Sequence, residues 1–186
     1  MILVFGDSLS AGYGLPQSRG WVDLLQQRLE REGYRHRVVN ASISGETTLG
    51  GRNRLAETLA QQHPAIVVLE LGANDGLRGQ PIADLRNNLM QMIEISRAHR
   101  AQVLLVGMRI PPNYGPDYTK KFQQAFLEVS RQARVPLVPF LLDGFADKRE
   151  LFQADGIHPG IEAQALVLDN VWKRLRPMLG RPPSAG

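Results

Sequence analysis

The chain has no cysteine in 186 residues. That absence removes disulfides, thiolate nucleophiles, iron–sulfur clusters and cysteine-ligated zinc. Long hydrophobic runs are missing too. No apolar stretch reaches the ~18 residues that cross a bilayer, so no integral membrane association is expected. Lysine is scarce: 18 of the 22 basic residues are arginines. They are scattered among acidic residues, with no run of five like charges and no basic–aromatic interleaving. The net charge of +4 therefore reads as ordinary solvated faces, and no nucleic-acid partner is expected. A basic leader is also lacking, because Met1 runs straight into Ile2-Leu3-Val4-Phe5 and then Gly6-Asp7. A mature periplasmic or secreted form is the expectation, with a cytoplasmic protein as the alternative.

With 43% hydrophobic and 22% charged residues, the composition is that of a globular chain rather than a disordered one. The length suits one domain with its own core, expected over residues 1–180, with 181–186 as a frayed tail. A monomer is the expected state. Chemistry in such a chain must come from Ser, His, Asp, Asn and the backbone, so neither metal nor organic cofactor is expected.

Short apolar runs at Ile2–Phe5, Val38–Ala41, Ala65–Leu71, Val103–Gly107 and Val135–Val138 alternate with longer amphipathic segments. The runs are continuous rather than alternating, the pattern of strands buried on both faces of a parallel sheet. Helical spacing appears in Trp21, Leu24 or Leu25, and Leu29, in Ile82 to Ser96, in Phe122 to Ala133, and in Ala165 to Leu179. Successive β-then-α units predict an α/β fold, a three-layer α/β/α sandwich with right-handed crossovers.

Ligands of open α/β sheets bind beyond the carboxyl ends of the strands, so the residues just past each strand matter most. Gly6-Asp7-Ser8-Leu9-Ser10 comes after the first and Ser42-Ile43-Ser44-Gly45-Glu46 after the second. Gly72-Ala73-Asn74-Asp75-Gly76 comes after the third, and Asp155-Gly156-Ile157-His158-Pro159 lies beyond the fifth. A serine hydroxyl needs a base within hydrogen-bond reach to become a nucleophile. Of four histidines, His36 and His99 sit among arginines and His63 precedes Pro64. Only His158 has a carboxylate, Asp155, three residues earlier in a Gly/Pro-bounded turn. That spacing can bring Asp155 to Nδ1–H and leave Nε2 free for a serine proton. Candidate oxyanion donors are the N–H of Ser8, an N–H near Gly45, and the Asn74 amide, which donates without charge. Each element also has a plain structural use: Ser8 as a helix cap, Gly45 and Asn74-Asp75-Gly76 as turns, and Asp155-Gly156 as an Asx turn.

Taken together, Gly6-Asp7-Ser8-Leu9, Gly45, Gly72-x-Asn74-Asp75 and Asp155-x-x-His158 resemble the four ordered blocks of the GDSL/SGNH hydrolases. The strings Asn40–Thr47, Glu70–Gly79 and Asn113-Tyr114-Gly115 are similar to the bacterial thioesterase/lysophospholipase/arylesterase branch of that family. The resemblance implies a flavodoxin-like five-stranded parallel sheet of order 2-1-3-4-5, the SGNH hydrolase fold. It also implies Ser8 as nucleophile, Asp155 and His158 completing a triad, and Ser8, Gly45 and Asn74 forming the oxyanion hole. The implied substrate is a small-molecule ester or thioester, with a fatty-acyl, lysophospholipid or aryl ester the first expectation. An acetylated carbohydrate is the alternative for the same triad.

Leu77, Ile110, Pro111, Tyr114, Phe140, Leu142 and Phe145 are expected near the same edge, where an apolar lining favours acyl or aryl groups. Arg109 and Asn113 join them as candidate contacts to a polar head or the acyl carbonyl. Gly76–Gly79, glycine at both ends, is expected to act as a mobile flap. Rival α/β readings fail on single residues. A dinucleotide fingerprint starting at Gly12 needs glycine where Gln17 stands, and a phosphate loop starting at Gly6 needs glycine at Ala11. A receiver domain wants an acidic pair after the first strand, but Asp7 is followed by Ser8.

Overall fold

In the computed structural model, which describes residues 1–182, each apolar run becomes a strand of one parallel sheet. The strands are β1 (Ile2–Gly6), β2 (Val38–Asn40), β3 (Ile66–Glu70), β4 (Gln102–Val106) and β5 (Leu137–Val138). Their order is β2-β1-β3-β4-β5, with every neighbouring pair parallel, which is the order expected. The helices are α1 (Ser8–Ala11), α2 (Trp21–Arg31), α3 (Thr48–Gln62), α4 (Ala73–Leu77), α5 (Ile82–Ala98), α6 (Pro116–Ala133) and α7 (Gln164–Leu175). Helices α3, α5 and α6 pack side by side on one face, and α2 pairs with α7 on the other. Of the tail expected at 181–186, residues 183–186 lie outside the described residues. Among the described residues no helix is long and apolar enough to cross a membrane.

All residues of β1 and β3 are buried, as continuous apolar runs demand. The edge strands depart from that expectation. β2 is only half-buried, because among the described residues no strand pairs with its outer side. β5 starts at Leu137 rather than Val135, since Pro136 has no N–H to give the ladder; its carbonyl still accepts from Leu105.

Helix α3 escaped the periodicity reading. Its buried stripe is Thr48, Gly51, Leu55 and Leu59, so the spacing is helical but two positions are not apolar side chains. Gly51 is there for space. A Cβ on it would stand 2.4 Å from Leu71 Cδ1 and 3.2 Å from Phe5 Cε1. Alanine would regain roughly 1 kcal/mol of helix propensity against an overpacking cost of about 1–3 kcal/mol. Valine loses most of that gain and adds two methyl groups. Gly51→Val is therefore expected to cost at least about 2 kcal/mol, lowering Tm by roughly 4–8 °C in a thermal melt. An unchanged melt would mean that α3 can back away freely.

Candidate active site

β1 runs to β2 on one side while β3 lies on its other side, so the sheet reverses its winding between β1 and β3. Gly6 and Glu70 are register partners at that point, and the turns after them meet above it. The turn after β1 is capped by Asp7, whose carboxylate accepts from Leu9 N–H at 3.0 Å. Asp7 thus takes the capping role that Ser8 had as its structural alternative. Ser8, at the first helical position, keeps its hydroxyl free for another partner.

That partner is His158. Ser8 Oγ lies 2.8 Å from His158 Nε2, and His158 Nδ1 lies 2.6 Å from Asp155 Oδ2. The other Asp155 oxygen accepts from the N–H groups of Ile157 and His158 at 2.9 and 3.0 Å. The Asx turn and the carboxylate–imidazole contact therefore coexist in one side chain. Burial pushes the Asp155 carboxyl up, but the His158 and Ile157 N–H groups and the imidazole outweigh it, leaving its pKa at about 2. Its folded value lies below the ordinary 3.8, so this stabilisation is present above about pH 4 and lost as pH falls toward 2. An ionised Asp155 requires the proton on Nδ1, so Nε2 is the acceptor facing Ser8.

Sequence reasoning missed the supports of this loop. The Tyr13 ring lies against the imidazole at 4.6 Å between centroids. Gln153 N–H donates to the His158 carbonyl at 2.8 Å, and its side-chain amide donates to the Tyr13 carbonyl at 2.8 Å. Gln164, buried in α7, accepts from Trp21 N–H at 3.0 Å and donates to the Pro159 carbonyl at 3.2 Å. The single visible signal was Gly14, where a Cβ would stand 2.0 Å from Gln153 Oε1.

Ser8 and Gly45 line the same cleft. Among the described residues, the N–H groups of Ser8 and Gly45 make no hydrogen bond. Gly45 is the third residue of a turn closed by Glu46 N–H on the Ile43 carbonyl at 3.2 Å. Its φ of +81° favours glycine at that position. The Asn74 amide, expected as an oxyanion donor, donates at rest to Asp7 Oδ2 at 3.1 Å and to the Glu46 carbonyl at 3.0 Å. A further acceptor in the cleft would have to displace one of those partners or share an N–H with it. Asn74-Asp75-Gly76 is helical rather than a turn, and Asp75 is spent on Thr48, accepting from its N–H at 2.9 Å at the start of α3.

A cleft of about 690 Å³ opens beside Ser8 and His158. Leu77, Arg109, Ile110, Pro111, Phe140 and Leu142 line it, as expected, together with Leu9, Tyr13, Met108, Pro112, Phe152 and Ile157. Asn113 and Tyr114 do not. They sit in a 3-10 turn (Pro112–Tyr114), where Tyr114 donates its hydroxyl to the Leu77 carbonyl at 2.8 Å. Phe145 is buried in the core. The flap expectation also changes. Gly76 is packed so closely that a Cβ would meet Ile110 and Phe122 at 2.6 Å, so it is a contact point and not a hinge. Tyr114, Tyr118 on the Gln80 carbonyl at 2.7 Å, and Arg78 on the Gly45 carbonyl at 3.1 Å tie the segment down. Among the described residues no three His, Asp or Glu side chains gather as a metal site would require.

The GDSL-like Lipase/Acylhydrolase family model matches residues 4–166. The chain belongs to that family. It is 53% identical to the Esterase TesA of Pseudomonas aeruginosa over 96% of this chain and 89% of that protein. It is 39% identical to the Thioesterase 1/protease 1/lysophospholipase L1 of Escherichia coli strain K12, over 96% of this chain and 84% of the relative. The crystal structure of the psychrotrophic esterase EstA from Pseudoalteromonas sp., inhibited by monoethylphosphonate, matches with a TM-score of 0.91. That pair is 42% identical and covers 97% of this chain and 98% of the other.

In this GDSL-family chain the motif's aspartate is itself strongly perturbed. Burial pushes Asp7 up to about 6, although Leu9 N–H and the nearby His158 pull the other way. Directly below it Glu70 is fully buried and is raised well above the usual carboxylate range, by burial first and by Asp7 second. Among the described residues neither carboxyl has a cation in ion-pair contact.

Proposed function

We propose that this protein hydrolyses carboxylic esters and thioesters of fatty-acyl or aryl type through a Ser8–His158–Asp155 relay and an acyl-enzyme. The observation that carries the reading is the 2.8 Å contact of Ser8 Oγ with a carboxylate-held imidazole. Nε2 takes the hydroxyl proton as Oγ bonds to the acyl carbon, and the carbonyl electrons move onto oxygen. The N–H groups of Ser8 and Gly45 and the Asn74 amide receive that charge. Collapse breaks the bond to the leaving alcohol or thiol, which takes the proton from His158. Water then gives a proton to Nε2, attacks the acyl carbon and releases the acid, with Ser8 recovering its hydrogen. No step calls on a metal or an organic cofactor.

The cleft supports acyl and aryl groups over sugar. Its side chains are mostly apolar, with Arg109 and Asp147 the charged exceptions away from the relay. Arg109 lies over the Phe140 ring at 4.7 Å, where a cation can meet an anionic head or leaving group. A buried methylene is worth about 0.8 kcal/mol, a several-fold gain in kcat/KM for each carbon the cleft covers. With p-nitrophenyl esters, kcat/KM is expected to rise from acetyl to hexanoyl and beyond. A sharp preference for acetyl would sink the fatty-acyl reading and favour the acetylated-carbohydrate alternative.

A further inference from the structure

Glu70 plays no part in the proposed relay, yet it sits at the point from which the relay is built. Its Oε2 accepts from Ser10 Oγ at 2.7 Å and from Asp7 N–H at 3.3 Å. A Cβ on Gly6 would stand 2.6 Å from that oxygen, so the motif's glycine is the space the carboxyl occupies. Its Oε1 is buried with no hydrogen-bond donor reaching it. An ionised Glu70 would leave that oxygen bare, at a cost of several kcal/mol on the scale of buried charges. The Asp7 N–H contact holds Glu70 against residue 7, and a charge on Asp7 opposes ionisation of Glu70. Two neighbouring buried carboxyls without a cation resist ionising together.

We propose that Glu70 is a positioning residue for this site, a neutral carboxylic acid that shares its proton with the Asp7 carboxylate and thereby fixes the Asn74 amide and the Ser8 turn. The chain of contacts is short. Asp7 presents one oxygen to Leu9 N–H, which sets α1, and the other to the Asn74 amide at 3.1 Å. A proton on Glu70 turns its contact with Asp7 from repulsion into a hydrogen bond, and Asp7 stays an acceptor at neutral pH. The other titratable groups facing Asp7 are His158, which favours its ionised form, and Asp75, which opposes it. The Arg54 guanidinium lies over the Phe5 ring and is spent on Glu46. The proposal rests on Ser8 as nucleophile and Asn74 as oxyanion donor.

Two variants separate this role from simple packing. Glu70→Gln keeps the shape, the acceptor and a neutral donor. Its kcat for p-nitrophenyl esters is expected within about threefold of wild type. Glu70→Leu keeps volume but no hydrogen bond. Its kcat is expected to fall about 10- to 100-fold with KM little changed, the scale of a small misplacement of reacting groups. Without the Glu70 donor the Asp7 carboxyl rises further, so the acid limb of kcat moves to higher pH in Glu70→Leu and stays put in Glu70→Gln. Equal losses in the two variants, or a folded Glu70→Leu with unchanged kcat and pH profile, would overturn the proposal. Should Glu70→Leu fail to fold, infrared spectroscopy of the wild type at neutral pH decides. A protonated-carboxyl carbonyl band that vanishes in an active Glu70→Gln supports the shared proton, and its absence refutes it. That band is independent of turnover, so a wild type without esterase activity would defeat the hydrolase reading alone.

Discussion

Ser8→Ala is expected to lower kcat for ester hydrolysis by on the order of 10⁴- to 10⁶-fold while leaving the fold intact. The two halves of that expectation come from the same local geometry. Among the described residues, the only side-chain hydrogen bond Ser8 makes is to His158 Nε2 at 2.8 Å. Helix α1 is capped by Asp7, not by Ser8, so the substitution removes no cap. Alanine is also the better helix former by a few tenths of a kcal/mol. Thermal melts of the variant should therefore match or slightly exceed wild type, which separates lost chemistry from lost structure. Labelling by a fluorophosphonate, with peptide mapping of the product, should place one adduct on Ser8 in the wild type and none in the variant. Near-wild-type turnover in Ser8→Ala, or an adduct elsewhere, would remove Ser8 from the role.

Much of this arrangement was legible in the residues alone, and the parts that were not have physical reasons. β1, β3 and β4 announced themselves because central strands of a parallel sheet are buried on both faces and must be continuously apolar. The strand-end clusters were visible because Ser8, Gly45 and Asn74 follow β1, β2 and β3 within a few residues. α3 was hidden because Gly51 buries an absence of side chain, a choice dictated by Leu71 and Phe5 from distant segments. Gly76 misled for the same reason: glycine in sequence reads as freedom, and here Phe122 and Ile110 crowd it. Asn113 and Tyr114 were placed near the right edge, but only the 3-10 turn decides that the Tyr114 hydroxyl points to Leu77 and not into the cleft. Glu70 lay inside the apolar run Ala65–Leu71, but nothing in the sequence marked what its carboxyl would meet. The sheet register, which sets it beside Gly6, is a long-range fact.

Asn74→Ala is expected to lower kcat by about 10²- to 10³-fold with KM nearly unchanged, and also to cost stability. One oxyanion donor is worth about 2.7–4 kcal/mol in the transition state, and an interaction made only there appears in kcat and not in KM. The amide already donates to Asp7 Oδ2 and to the Glu46 carbonyl at rest. The developing oxyanion competes best with Glu46, a neutral carbonyl, whereas the Asp7 carboxylate is the stronger acceptor. Asp7 thus keeps the side chain aimed while one N–H changes partner. Removing the amide also leaves a buried carboxylate one donor short, at about 1–3 kcal/mol. The variant should therefore melt at a lower temperature, unlike Ser8→Ala. That penalty is relieved as Asp7 takes up a proton, and its pKa is already raised to about 6. With the folded pKa raised further, the deficit in Tm relative to wild type is expected to shrink as pH falls through the variant's higher value toward about 6 and to level off below it. A kcat change within twofold would take Asn74 out of the oxyanion hole. A kcat loss with no change in Tm at any pH would keep it there but break the proposed link to Asp7.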